Sequence, residues 1–78
     1  PNPFNETTSI NIELNKSGQV IFEVTDLSGK IIYFNELGNL SSGNHQVNFS
    51  VDDFNSGIYY YSIKLGDQKI TKKMIINK

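Results

Sequence analysis

His45 is the only histidine in the chain, and a lone imidazole does little chemistry unaided. A metal site would need further ligands around it, and nucleophilic catalysis would need a positioned hydroxyl with an orienting acid. The serines and threonines fall mainly in turn-like stretches and on the polar side of alternating runs, so His45 reads as structural or simply exposed. Asp52-Asp53 is an adjacent acidic pair, but its surroundings lack the spaced oxygen ligands of a calcium loop. A solvated turn is the expectation. The six glycines stand singly, and none forms a phosphate-cradling loop. No catalytic residue, metal or cofactor is therefore assigned, and a hydrolase centred on His45 is the poorest reading.

The aromatic and basic residues near the end of the sequence are more informative. In Tyr59-Tyr60-Tyr61, the two-residue period of a strand sends Tyr60 to the face opposite its neighbours. An outward ring suits a sugar or protein contact, although tyrosines also serve in cross-strand pairs. An accessory sandwich module that binds polysaccharide through Tyr60 is the alternative functional reading. Lys72 falls on the side otherwise assigned to the core, where its stem can snorkel to an edge. A basic, strand-forming tail is also a handle for another protein, because an edge strand is recognised by main-chain pairing. The same property makes self-association through an open edge an expectation.

These residues belong to a chain of alternating runs. Ser56 to Lys78 reads as one long hairpin turning at Gly66-Asp67, a pair suited to a two-residue loop. That turn sets Ile63 opposite Ile70, Tyr59 opposite Met74, Ile58 opposite Ile75 and Ser62 opposite Thr71. The inner face then collects Tyr59, Tyr61, Ile63, Leu65, Ile70, Met74 and Ile76. Lys64 meets Lys69 outside, at an end expected to be wet. Upstream, Ile10, Ile12 and Leu14 alternate with polar residues. Val20, Phe22 and Val24 do the same, with Glu23 and Thr25 outward, as do His45, Val47 and Phe49. Lys30 to Glu36 is a further strand whose Ile31-Ile32-Tyr33-Phe34 run suggests cover on both sides.

Asn15 to Gly18 reads as a turn in which Gly18 can take positive φ, and Asp26-Leu27-Ser28-Gly29 has type I turn chemistry. Leu37 to Gly43 reads as a loop. Asp52 to Gly57 reads as a polar connection with Phe54 plugging the core. Pro1-Asn2-Pro3-Phe4 is an extended lead-in anchored by Phe4, and a seventh strand is expected either from Pro1 to Thr7 or from one long run switching sheets. Six to seven short strands without helical periodicity predict an all-β, antiparallel β-sandwich over residues 1–78.

Composition narrows the function further. With seven basic and eight acidic residues, the net charge is −1, which gives no electrostatic case for nucleic acid. Arginine is absent, removing the usual bidentate reader of phosphates and base edges. Cysteine is absent too, so no disulfide can staple the domain. No apolar run approaches the roughly 20 residues of a membrane span, and no amino-terminal signal pattern is visible. The abrupt start at Pro1 reads as a piece of something longer.

The ordered motifs resemble the type A carboxy-terminal sorting domain of proteins exported by the type IX secretion system of Bacteroidetes. Pro1-Asn2-Pro3-Phe4 resembles its start, and Leu14 with Ser17-Gly18 resembles its first strand end and turn. Val24, Asp26, Gly29 and Lys30 resemble its second-turn motif, and Ser42-Gly43 with His45 the segment before its middle strand. Ser56-Gly57-Ile58-Tyr59-Tyr60-Tyr61 and Gly66 resemble its glycine–aromatic motif. Thr71-Lys72-Lys73-Met74-Ile75-Ile76 with Lys78 resembles its terminal motif.

The resemblance implies an immunoglobulin-like sandwich of about seven strands and a non-catalytic secretion signal. It implies a passenger fused at the amino-terminal side, transit through the periplasm, and passage across the outer membrane. The implied partners are the outer-membrane translocon, its shuttle proteins and a sortase-like peptidase that removes the domain at the surface. The passenger then stays on the cell surface or is released. Gly57, Tyr59, Gly66, Lys72, Lys73 and Lys78 are the implied signal residues, the glycines preserving turns and the lysines presenting charge.

Overall fold

A computed structural model describes residues 6–78. The lead-in at Pro1 to Phe4, the anchoring role of Phe4 and most of the Pro1 to Thr7 stretch offered as a seventh strand lie outside the described residues; among those described, Thr7 belongs to the first strand and no run switches sheets. Within them the chain forms β1 (Thr7–Leu14), β2 (Gly18–Thr25), β3 (Ile31–Leu40), β4 (Gly43–Ser50), β5 (Gly57–Leu65) and β6 (Gln68–Ile76). All pairings are antiparallel. β1 and β4 make a two-stranded sheet, and the other four strands form a second sheet in the order β3-β2-β5-β6. The architecture is an immunoglobulin-like sandwich with six strands among the described residues.

The alternating runs place the core where their period requires. Ile10, Ile12 and Leu14 of β1 face Val20, Phe22 and Val24 of β2, with Val47 and Phe49 of β4 beside them, and all are buried. β2 is flanked by β3 and β5, and Phe22 is wholly inaccessible. Its ring centroid lies 5.2 Å from Phe49 and 6.0 Å from both Tyr33 and Tyr61. Such tilted and edge-on aromatic pairs add to the gain from area burial. Phe54 closes one end against Phe49 and Tyr59, as a plug should.

The β5–β6 hairpin has the register expected from its turn, including Tyr59↔Met74, Ser62↔Thr71 and Lys64↔Lys69. Gly66 takes φ 58° while Asp67 stays at negative φ, a pattern suited to a type II′ turn. Ser62 and Thr71 share a 2.9 Å hydroxyl hydrogen bond across the ladder. The β2–β3 turn is tied by Asp26, whose carboxylate accepts from Ser28 N at 2.9 Å, Ser28 Oγ at 2.6 Å and Lys30 N at 3.0 Å. The Ser28 hydroxyl first, then the Lys30 amide, holds the Asp26 carboxyl below its ordinary value.

Several expectations need correction. Leu37 to Gly43 is not a loop: β3 continues to Leu40. The register slips between Val20↔Gly38 and Ile21↔Glu36, leaving Leu37 as the extra residue of a bulge beside Gly38 at φ 84°. A bulge keeps a strand running where pairing alone would stop it. The apolar run of β3 is not covered on both sides, because β3 is a sheet edge and Ile31 and Phe34 are each 52 % exposed. Gly18 is nearly extended at φ 159°. Its requirement is space, since a Cβ there would stand 2.7 Å from Leu65 Cδ1.

Glu23 faces outward as expected, yet it is only 5 % exposed. Its in-register neighbours are Phe34 and Ser62, and Lys64 Nζ lies 3.4 Å from its carboxylate. The Lys64 end of the outer face is thus partly shielded and locally neutralised. Ile70 departs the other way. It sits on the inner face but is 55 % exposed, because the two-stranded sheet does not extend over the start of β6.

Two outcomes test this account. Phe22→Ala should cost about 3–5 kcal/mol, the usual range for emptying a buried phenylalanine site, measured by urea unfolding against the wild type. For Asp26 the sign follows from its lowered folded-state pKa: its stabilising effect is present above the ordinary carboxylate range and is lost as pH falls through the lowered value. NMR titration should therefore find Asp26 ionised at a pH where an unfolded aspartate is already protonating, and Ser28→Ala should move its midpoint upward.

Candidate functional site

The implied signal residues divide into two groups once folded. Gly57, Tyr59 and Lys78 gather around the β4–β5 connection. Gly57 opens β5 opposite Ile76 and does not use positive φ. The Tyr59 hydroxyl donates to the Asn55 carbonyl at 2.7 Å, and its ring packs on Phe54 at 5.3 Å. Lys78 closes the group. Its ammonium donates to the carbonyls of Val51, Asp52 and Phe54 at 3.0, 2.9 and 3.0 Å. Three donors meet three acceptors, which is the full capacity of an ammonium. The Lys78 backbone N–H donates to Ser56 Oγ at 2.9 Å.

This end is a clasp. A cation bonded to three carbonyls satisfies oxygens that a tight connection would otherwise turn to water. Asp52 adds a further tie, its carboxylate accepting from Glu6 N at 2.7 Å while its own N–H donates to Ser50 Oγ at 3.2 Å. Of the Asp52-Asp53 pair, Asp52 thus ties the connection between strands, and Asp53 is exposed. Sequence reasoning missed the carbonyl cup because carbonyls carry no residue signature. The one available cue was a lone lysine beyond the end of β6.

Lys72 and Lys73 form the second group, in the middle of β6, with Gly66 at the turn. Successive strand residues point to opposite faces. Lys73 stands opposite Tyr60 on the outer face, and Lys72 opposite Tyr61 on the inner side. Tyr60 is 37 % exposed and belongs to an outer face that also shows Ile58, Phe34 and Ile75. Lys69, Lys72 and Lys73 are all exposed. Among the described residues the one ion pair is Lys64–Glu23, so these three ammonium groups carry no carboxylate at contact distance.

Lys72 borders a groove of about 560 Å³ between β1 and the hairpin, where Ile70 is also displayed. His45 lies elsewhere, on β4, with Nε2 donating to the Ser41 carbonyl at 2.7 Å. That bond ties the β3–β4 connection and brings no nucleophile to the ring.

Lys78→Ala should loosen the clasp without emptying the core. The expected loss is about 1–2 kcal/mol, a few charge-assisted bonds discounted for partial exposure. Hydrogen exchange should quicken at the Phe54 amide, which donates to Val51 O at 3.0 Å, before it quickens at Phe22. Unchanged exchange at Phe54 would remove the structural role of Lys78.

Comparison with known proteins gives the fold a context. The family described as secretion system C-terminal sorting domain matches residues 1–77. No curated protein and no solved structure gives a significant match. The family match covers all six strands, including the lysine-bearing hairpin, and stops one residue short of Lys78, and on that ground the chain belongs to the C-terminal sorting-domain family of the type IX secretion system.

Proposed function

We propose that this domain is the address of an exported protein, read on the β5–β6 hairpin. A passenger fused ahead of Pro1 is carried through the periplasm to the outer-membrane translocon and its shuttle proteins. A sortase-like peptidase removes the domain at the surface, where the passenger remains or is released. The domain is a substrate in this sequence of events and performs no catalysis. The single observation that carries the reading is the family match over residues 1–77.

The geometry supports a division of labour within the signal. Lys72 and Lys73 sit on a strand paired to β5 along its length and have unpaired ammonium groups, so recognition by acidic partners breaks no ion pair and needs no ordering of the backbone that carries them. Gly57, Tyr59 and Lys78 hold the end of that hairpin against the β4–β5 connection. Gly66 keeps its two strands in register. The lysines of the terminal motif therefore do different work, Lys72 and Lys73 presenting charge and Lys78 preserving shape.

The test is export of a reporter fused to this domain. Lys72→Ala with Lys73→Ala should leave thermal unfolding within about 0.5 kcal/mol of wild type, as exposed substitutions usually do, and should strand the reporter in the periplasm. Lys78→Ala should lower stability and export together, with export recovering at lower temperature. Full export of a folded Lys72→Ala, Lys73→Ala variant would remove the charged signal.

A further inference from the structure

The groove beside β6 has a wall made of unused backbone. Val51 N donates to Glu6 O at 3.0 Å, and from there the β1–β4 register runs without a slip from Thr7↔Ser50 to Leu14↔Gly43. Antiparallel pairs alternate between bonded and non-bonded. Thr8, Ile10, Ile12 and Leu14 therefore turn their N–H and C=O groups to β4. Ser9, Asn11 and Glu13 turn theirs to the opposite edge, where the two-stranded sheet has no further strand among the described residues. Asn11 and Glu13 lie along the groove, with Ile63 and Ile70 also lining it and Lys72 beside them.

These features specify an occupant. Free amides and carbonyls in a row call for an extended polypeptide. The exposed Ile70 calls for apolar side chains on its inward face, and the unpaired Lys72 ammonium calls for a carboxylate. A second copy of this chain does not meet the description through β1, since its Ile10, Ile12 and Leu14 are buried in its own core. The stretch from Asn11 to Asn15 would pair with a segment about 17 Å long, at the usual rise of a strand.

We propose that this groove binds an extended segment of a partner protein, which adds to β1 as a third strand, lays alternate apolar side chains over Ile63 and Ile70, and sets a carboxylate against Lys72. The proposal rests on the reading of the domain as a recognised export signal and supplies the form of the recognition. Lys72 then acts at the groove and Lys73 on the outer face, so the two adjacent lysines are not equivalent.

The probe is a capped seven-residue peptide alternating valine and threonine, with glutamate at one valine position. Binding to the 78-residue chain is followed by NMR. The expected shifts fall on Asn11, Glu13, Ile63 and Ile70. Methylating the peptide nitrogens that face β1 should weaken binding about tenfold or more, because the main-chain bonds are lost. Asn11→Pro should do the same while keeping the fold, since it removes an edge-facing donor and breaks no bond to β4. Lys72→Glu should weaken the acidic probe about three- to tenfold and favour the same peptide carrying lysine.

No shifts, shifts confined to the outer face, or equal binding of the methylated peptide would overturn the proposal. So would a dimer that Asn11→Pro dissolves, which would give the edge to a second copy. In cells, deleting the whole domain tests the sorting reading separately. If deletion blocks reporter export but folded Asn11→Pro is exported at full yield, the groove proposal fails and the sorting reading stands. If the deletion is exported normally, the sorting reading itself fails.

Discussion

Among the described residues two strands lie over four, and the mismatch in cover sets the properties of both sheets. The β1–β4 pair is wide enough to bury the inward residues of β2, Val20, Phe22 and Val24, and those of the later part of β5, Ile63 and Leu65. It does not reach across β6. An isolated two-stranded sheet is marginal in water, so β1 and β4 depend on packing their apolar faces against the larger sheet. β6 depends in turn on its ladder to β5, on the Gly66 turn at one end, and on Ile76 and the Lys78 clasp at the other. Between those fixed ends its side chains remain accessible. Partial cover thus leaves β6 both ordered and reachable.

The same geometry separates residues that are neighbours in sequence. Lys72 and Lys73 face different environments because the strand period allows nothing else, whereas Lys78, only a few positions on, is bound into the β4–β5 connection. Glu23 and Lys64 show the converse. They are distant in sequence, yet adjacent strands bring them together on a face that Phe34 helps to shield. Charge on this domain is therefore sorted by location into a structural ion pair, a structural ammonium and free cations.

Much of the sandwich was legible because its signals are local. The alternation at Ile10, Ile12 and Leu14, at Val20, Phe22 and Val24, and at Val47 and Phe49 needs only the period of a strand. The hairpin register needs only the turn at Gly66. What could not be read depends on partners far along the chain. Ile70 looks like a core residue until the opposing sheet is seen to stop short of it, and Glu23 looks solvated until Lys64 and Phe34 are placed beside it. The extension of β3 past Gly38 was hidden because a glycine at positive φ serves a loop and a bulge equally well. In the candidate site, residue types and order pointed to the hairpin, but the carbonyls that receive Lys78 belong to backbone and leave no mark in a sequence.

The seating of β2 between β3 and β5 has a bearing on timing. Pairing with β3 is a short-range event, but Val24 must also find Tyr61 and Phe22 must find Ile63, across the whole span of the intervening strands. Closing so long a loop costs entropy before any contact repays it, and topologies of this kind assemble slowly for their size. An unfolded chain thus spends an interval without its central sheet, with the edges of β2 and β5 still unpaired. A break between β2 and β5 would remove the covalent link that brings the two strands together, so a completed central sheet reports that β3 and β4 are in place between them.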